Sequence, residues 1–301
     1  MKRSFTLIEL VLVVVIVTLL SVATFKAIKA IKIKSFKAKE LTRLSLESQI
    51  VLDQLSSLLR NRIPATAIGY NPDTNEWAYL NQLDTLSEDP PILEWIGYDE
   101  DALGDGDYSG FVDINRTIQD SSSDYVIYTD INFTDSGYAL IFSGSYDRGY
   151  EGGSLEGAFG WHGSDSNLTY QVTFNPPDKI IIEHNETPKP KWLYEKYFLT
   201  KSAYAVARSA DIDKSVDCIK DLKIGDDNDT LLLFYNYHPW KGKTFCADPN
   251  GDTEGNATIL MRNIQGFEFR EEGGTLRLWI DVNKTILGNV GVHFSKMKVV
   301  W

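Results

Sequence analysis

The hydrophobic residues of this chain are concentrated near its N-terminus. Between Arg3 and Lys26 lie 22 residues, and Glu9 is the one charged residue among them. At 1.5 Å per residue, a helix of that length is about 33 Å long, which matches the hydrocarbon core of a bilayer. The pattern therefore predicts a membrane-spanning helix over residues 5–25.

Apolar residues then recur at helical spacing. Five of them approximate a 3.6-residue stripe, namely Leu41, Leu44, Val51, Leu55 and Leu59. No glycine or proline interrupts residues 5–63, and Pro64 disfavours a helical conformation for the residue before it. We therefore expect the helix to continue as an amphipathic helix through residues 26–63.

Beyond the helix, the pattern changes to short alternating segments that are typical of strands. Residues 65–122 are acidic and contain several Pro and Gly residues, which predicts irregular structure. Residues 124–128 and 137–144 predict one hairpin, and residues 168–174 and 179–184 predict a second.

The segment ETPKPK at 186–191 is a candidate boundary within the body. A first β-rich region with acidic loops is predicted over 64–190. A second, antiparallel β region is predicted over 191–301, with Gly273-Gly274 as a hairpin turn. The expected fold class is α+β, with a long N-terminal helix packed on a mostly antiparallel β body.

Charge is distributed as unevenly as hydrophobicity. Residues 1–43 carry nine Lys/Arg and two acids, a net charge of +7, whereas the remainder carries 21 Lys/Arg and 40 acids, a net charge of −19. An acidic body argues against nucleic acid as the main partner. Lysines at 26, 29, 32, 34, 37 and 39 directly follow the apolar run. The positive-inside rule would place them in the cytoplasm, and the alternative is a collar that faces lipid headgroups.

Two common kinds of N-terminal apolar segment fit this one incompletely. A secretory signal peptide has a shorter apolar run followed by a small-residue cleavage site, where this chain has KAIKAIKIKSFKAK. A simple membrane anchor accounts for the length. It leaves unexplained the Glu9 carboxylate, which costs about 2–3 kcal/mol near the start of a span.

Lys2-Arg3-Ser4 followed by Phe5-Thr6-Leu7-Ile8-Glu9-Leu10 resembles the cleavage motif of the type IV pilin and type II secretion pseudopilin superfamily. The resemblance implies that residues 1–4 are a leader, and that a prepilin peptidase cleaves between Ser4 and Phe5. Phe5 would then be N-methylated. Members of the family usually have Gly at the position of Ser4.

The resemblance also implies a pilin-like fold and other pilin or pseudopilin subunits as partners. The chain would cross the inner membrane once, with its N-terminus cytoplasmic and its body periplasmic. In a filament, Glu9 of one subunit would pair with the Phe5 amine of a neighbour, because unpaired charges are costly in apolar surroundings. We therefore assign Glu9 to subunit docking. The alternative is an interfacial carboxylate beside Lys2 and Arg3.

Seven Asn-x-Thr sequons occur in the body, and each has an acid two positions upstream of its Asn. A sequon alone is weak evidence. The longer pattern resembles the D/E-x-N-x-S/T acceptor of a bacterial periplasmic oligosaccharyltransferase, and the alternative is turn chemistry. The predicted N-glycosylation sites are Asn115, Asn132, Asn167, Asn185, Asn228, Asn256 and Asn283. Glycans would require these asparagines to lie at the protein surface and the body to lie outside the cytoplasm.

Cys218 and Cys246 are predicted to pair, because an oxidising compartment favours a disulfide. The bridge would stabilise the fold by about 3–4 kcal/mol. The alternative is two buried free thiols.

One acidic loop is a candidate calcium site. Asp105, Asp107, Ser109 and Asp113 match positions one, three, five and nine of an EF-hand loop, but the twelfth position is Arg116. The alternative is an acidic surface loop. Residues 248–254 match the same pattern more weakly, and no other cofactor is predicted.

No nucleophile–base pattern, phosphate loop or zinc motif occurs, so an enzyme is not expected. Trp161-His162 fits either a sugar-binding surface or an aromatic packing cluster. The resemblance implies a non-enzymatic minor pseudopilin or minor pilin that primes or caps a type II secretion or type IV pilus-like filament. The alternative is a binding module at the filament tip, either an adhesin or a DNA-uptake receptor.

Overall fold

A long helix dominates the N-terminal part of the chain. The computed structural model describes residues 6–63, 65–117, 125–146, 157–182, 189–286 and 290–301. Helix α1 covers Leu7–Arg60, about 80 Å at 1.5 Å per residue. Its buried residues all lie in the C-terminal third: Leu44, Ser48, Val51, Leu52, Leu55, Ser56 and Leu59.

These buried residues recur every three or four positions, so one stripe of α1 packs on the body. Leu41 belongs to the same stripe one turn earlier but is 41% exposed, because the body ends close to Leu44. The expected amphipathic helix is therefore present, and its docked part begins at Leu44 rather than at Leu41. The fold class is confirmed: a long N-terminal helix lies against a mostly antiparallel β body.

The body contains two short helices, α2 (Glu100–Gly104) and α3 (Asp217–Lys220). The strands among the described residues are β1 (Ile68–Asn71), β2 (Glu76–Tyr79), β3 (Ile92–Gly97), β4 (Tyr125–Tyr128), β5 (Ala139–Phe142), β6 (Tyr170–Asn175), β7 (Lys179–Ile182), β8 (Tyr197–Thr200), β9 (Ser202–Arg208), β10 (Thr230–Tyr237), β11 (Thr244–Phe245), β12 (Thr253–Glu254), β13 (Asn256–Arg262), β14 (Ile264–Glu272), β15 (Thr275–Ile286) and β16 (Val290–Val300).

The central layer is an antiparallel six-stranded sheet in the order β13-β10-β9-β3-β1-β2. Strand β3 is buried along its whole length because both faces of the sheet are covered. Leu93 and Trp95 belong to the core that includes α1. Ile92 and Ile96 belong to a second core on the other face.

The C-terminal sheet, β14-β15-β16, packs on the docked part of α1. Three lysines of this sheet bond to the helix. Lys284 Nζ lies 3.0 Å from Glu40 Oε2, and Lys298 Nζ lies 2.9 Å from Asp53 Oδ1. Lys296 Nζ donates to the Ser45 carbonyl oxygen at 2.5 Å. Lys284 on β15 and the alternating Lys296 and Lys298 on the edge strand β16 thus align the helix with the sheet.

The third sheet, β4-β7-β6-β5-β8, is antiparallel and surrounds its own apolar core. Strand β4 pairs with β7, so the expected hairpin of residues 124–128 with 137–144 is wrong. The β6–β7 hairpin and the Gly273-Gly274 turn between β14 and β15 are confirmed. Strand β5 lies between β6 and β8 in this sheet, so both of its edges are already paired. Strand β4 therefore pairs with β7, which is farther away in the sequence than β5.

Two further features of the body differ from expectation. Residues 65–122 contain β1, β2 and β3 of the central sheet, so they are not irregular throughout. Strands buried on both faces lack the alternation that marks a half-exposed strand. The regions 64–190 and 191–301 also share sheets, since β3 pairs with β9 and β5 with β8. Residue 190 therefore does not separate the strands into two groups.

Candidate assembly helix and modification sites

The N-terminal part of α1 extends beyond the body without cover. Residues 7–32 are all exposed, and their large apolar side chains include Leu12, Ile16 and Leu20, at 60%, 47% and 61% exposure. In length and composition this helix can cross a membrane. Such a large exposed apolar surface is unfavourable in water.

The carboxylate of Glu9 caps its own helix. Thr6 is the N-cap of α1, and its backbone N–H and hydroxyl donate to Glu9 Oε2 at 3.0 and 2.9 Å. This capping box satisfies N-terminal donors that an isolated helix would leave unpaired. Glu9 is exposed, so its side chain is free to exchange this cap for another partner. Ser4 and Phe5, the predicted cleavage and methylation residues, lie outside the described residues.

Six of the seven predicted glycosylation sites lie among the described residues, and Asn185 lies outside them. Five of the six asparagines are exposed, and Asn167 is partly exposed. The sequon threonines differ more strongly. Thr134 and Thr285 are exposed, whereas Thr169 and Thr230 are wholly buried. An oligosaccharyltransferase must reach both ends of the tripeptide, so the folded chain does not present all sequons equally.

We expect Asn132 to be glycosylated on the folded protein. Asn167 and Asn228 should be glycosylated only before the chain folds. Asn132 and Thr134 are both exposed in a loop, while the threonines of the other two sequons are buried. The measurement is glycopeptide mass spectrometry after treating native and urea-unfolded chain with the transferase and lipid-linked glycan. Equal modification of Asn228 in both states would contradict the accessibility argument.

The cysteine pairing is confirmed. Cys218 and Cys246 form a disulfide with a Cα–Cα distance of 6.4 Å. It joins α3 to the loop after β11, at the edge of the core on the outer face of the central sheet. The bridge closes a loop of 28 residues, for which about 3–4 kcal/mol of stabilisation is expected.

The residues of the candidate calcium loop have other partners. Ser109 Oγ lies 3.0 Å from Thr129 Oγ1, and Asp113 Oδ1 accepts from the backbone of Asn115 and Arg116. Asp105 ends α2, and Asp107 is only partly exposed. Among the described residues, no group of three or more His, Cys, Asp or Glu side chains is arranged to hold a metal ion. Calcium binding at Asp105, Asp107, Ser109 and Asp113 stays a prediction.

The structure reveals a buried ionic cluster that the sequence did not predict. His162 Nε2 lies 2.7 Å from Glu94 Oε1, and its Nδ1 lies 3.5 Å from Asp248 Oδ2. The side chains of the three are 6%, 1% and 0% exposed. Tyr237 donates to Glu94 at 2.6 Å, and the ring of Tyr70 stacks on the imidazole at 3.7 Å. The cluster is sealed from solvent, and it connects segments that lie far apart in the chain.

Burial lowers the pKa of His162, but the charges of Glu94 and Asp248 and the hydrogen bond with Glu94 outweigh it and raise the pKa to about 9. The imidazolium is therefore the form present at neutral pH. The neighbouring Trp161 is 1% exposed and donates to the Thr66 carbonyl oxygen at 3.0 Å. Of the two interpretations of Trp161-His162, the packing cluster is the one confirmed.

A close backbone contact holds this turn in place. Gly160 has φ +82°, and a Cβ atom there would overlap the carbonyl oxygen of Pro239. His162 also has a left-handed backbone, with φ +46°. The one sequence signal for the cluster is Glu94, a charged residue within the otherwise uncharged strand ILEWIG.

Comparisons of this chain with family models, with curated proteins and with solved structures found no match. A functional proposal therefore has to be argued from features of this chain. They are the uncovered apolar helix, Glu9 at its start, and a disulfide-bonded body with exposed sequon asparagines.

Proposed function

We propose that this protein is a minor pseudopilin or minor pilin, a non-enzymatic subunit that primes or caps a type II secretion or type IV pilus-like filament. The observation that carries the proposal is the division of α1. Its residues from Leu44 onward are docked on the body, while the apolar residues before Lys26 stand clear of it. A helix of this kind can lie in the bilayer before assembly and in a bundle of neighbouring helices afterwards. The cleavage-like motif that ends at Leu10 supports the same proposal.

The proposed topology is a single crossing of the inner membrane, with the N-terminus cytoplasmic and the body periplasmic. The disulfide supports an oxidising compartment for the body. The exposed sequon asparagines support access by a periplasmic oligosaccharyltransferase. The proposed partners are the prepilin peptidase and other subunits that pack through α1.

A capping or priming position is favoured over a repeating position in the filament shaft. Glycans are bulky, and the exposed sequon asparagines occur in the three larger sheets or in loops beside them. Dense lateral packing of identical bodies would leave little room for glycans on so many sides.

A groove on the body bears on the alternative of a tip receptor. It has a volume of about 980 Å³ and lies between residues 80–91 and β14. Its charged lining residues are Asp84, Asp89, Glu268, Glu271, Glu272, Arg208, Arg270 and Arg277. Each arginine lies within 4.0 Å of a carboxylate oxygen. Mixed and internally paired charge does not suit a polyanion such as DNA, so this groove favours the structural role.

The mature protein is expected to begin at N-methylated Phe5. Intact-mass and N-terminal peptide mass spectrometry of the protein from its native host would show the loss of residues 1–4 and a gain of one methyl group. A Ser4→Gly variant should be processed at least as completely, because Gly is the usual residue of the family motif. Recovery of the chain with an intact Met1 terminus in both proteins would refute the proposal.

A further inference from the structure

Six lysines that follow the apolar run have no ion-pair or hydrogen-bond contact with a charged or polar side chain among the residues that the structure describes. Lys26, Lys29, Lys32, Lys34, Lys37 and Lys39, here called the lysine collar, are exposed. Among the described residues, none of the six forms an ion pair or a hydrogen bond. The lysines of the C-terminal sheet contrast with them, since Lys284 and Lys298 pair with acids of α1.

The collar surrounds the helix instead of forming one face. At about 100° per residue, Lys26, Lys34 and Lys37 lie on the side of the docked stripe. Lys32 and Lys39 lie on the opposite side, and Lys29 lies between the two. A helix that rests along a membrane surface, or that binds a protein on one side, needs one charged face. A ring of charge suits a helix that stands upright in a layer of anions.

The position of the collar along the helix fits the same geometry. The apolar run ends at Phe25, and each headgroup layer of a bilayer is about 5–8 Å thick. Lys26, Lys29 and Lys32 lie within about 10 Å of Phe25, at the depth of lipid phosphates. The remaining lysines lie just above them, within roughly two Debye lengths of the surface.

The acidic body lies too far along the helix to neutralise the membrane-proximal part of the collar. Apolar packing on the body begins at Leu44, about 18–27 Å beyond Lys26, Lys29 and Lys32. That separation exceeds the Debye length of about 8–10 Å, so the body does not screen these three lysines. The collar can thus attract anionic lipid while the body stays in solution.

We propose that the lysine collar binds the phosphate headgroups of anionic phospholipids in the leaflet on the body side of the membrane. Bound headgroups fix the depth of α1 in the bilayer and hold the body clear of the surface. The proposal rests on α1 spanning the membrane, as proposed above, and does not depend on a role in a filament.

The test uses the full chain reconstituted in vesicles of phosphatidylcholine with about one third phosphatidylglycerol. Electron paramagnetic resonance with spin-labelled phosphatidylglycerol or phosphatidylcholine measures which lipid contacts the protein. We expect a several-fold preference for phosphatidylglycerol that falls as salt increases. Trypsin treatment of the same vesicles should leave the apolar span protected. Loss of that protection would refute the spanning helix itself, separately from the collar.

Variants with three lysines changed to glutamine give matched comparisons. Lys26/Lys34/Lys37→Gln and Lys29/Lys32/Lys39→Gln should each lose part of the preference to a similar extent. Changing the exposed body lysines Lys220, Lys223 and Lys241 to Gln should change nothing, and the sixfold collar variant should show no preference. A protected span without lipid preference in the wild type would overturn the proposal. So would loss from one half of the collar alone, which would indicate a partner on one side of the helix.

Discussion

Replacing His162 with Asn is expected to lower the free energy of unfolding by about 3–5 kcal/mol at pH 7. The imidazolium lies between the buried carboxylates of Glu94 and Asp248. Removing it leaves two negative charges without a cation in the core, and burial of unpaired charge is costly. Asn is chosen because it tolerates the left-handed backbone of this position, so strain does not contribute to the loss.

The effect should depend on pH in a defined direction. The pKa of His162 rises from an ordinary 6.5 to about 9 on folding, so its stabilisation is complete below pH 6.5 and is lost as the pH rises through 9. In acid, the pKa of Asp248 is held down because its interaction with the His162 charge and the hydrogen bond from the Asn250 backbone outweigh its burial. Its stabilisation is therefore present above an ordinary value near 4 and is lost as the pH falls through the folded value. The difference between wild type and variant should be largest between about pH 4 and pH 6.5 and should shrink as the pH rises towards 9.

Urea unfolding followed by tryptophan fluorescence measures this difference across the pH range. His293→Asn is a suitable control, since His293 is exposed on β16 and should contribute within about 0.5 kcal/mol. A variant His162→Asn as stable as the control at pH 7 would show that the two carboxylates do not need the imidazolium.

Replacing Glu9 with Gln is expected to exclude the protein from the filament while leaving its processing and body intact. Glutamine can still accept the capping bonds from Thr6, so the helix start is preserved. The charge is lost, and the Phe5 amine of a neighbouring subunit is left unpaired in an apolar bundle. The penalty is about 3–5 kcal/mol when fully buried, enough to reduce incorporation more than a hundredfold.

Fractionation of cells into membrane and filament, followed by immunoblotting, measures incorporation of each variant. Glu9→Ala should fail in the same way, and Glu9→Asp should be intermediate because the charge stays while its reach shortens. Thr6→Ala is the control for helix capping, since it removes the hydroxyl but keeps the carboxylate. Normal incorporation of the Glu9→Gln variant would contradict the docking role and would indicate that Glu9 acts only as a helix cap.

The helix could be predicted from the sequence because its signals are local. Apolar residues, the absence of Gly and Pro, and Pro64 all act within a few positions, and α1 indeed covers Leu7–Arg60. Only part of the docked stripe could be predicted, because leucines at helical spacing indicate a buried face whereas serines do not. Ser48 and Ser56 are buried in it since small side chains let the helix approach the sheet. Where the stripe ends depends on the body, and Leu41 lies past that point.

The α+β class, the apolar span and the cysteine pair could be predicted from the residues alone, since composition and spacing along the chain limit these strongly. Strand pairing could not, because it depends on how the sheets pack, as β4 with β7 shows. The tertiary structure alone also brought Glu94, His162 and Asp248 together. These residues lie far apart in the chain, and contact between them is favourable only after the sheets have packed and excluded water from their charges.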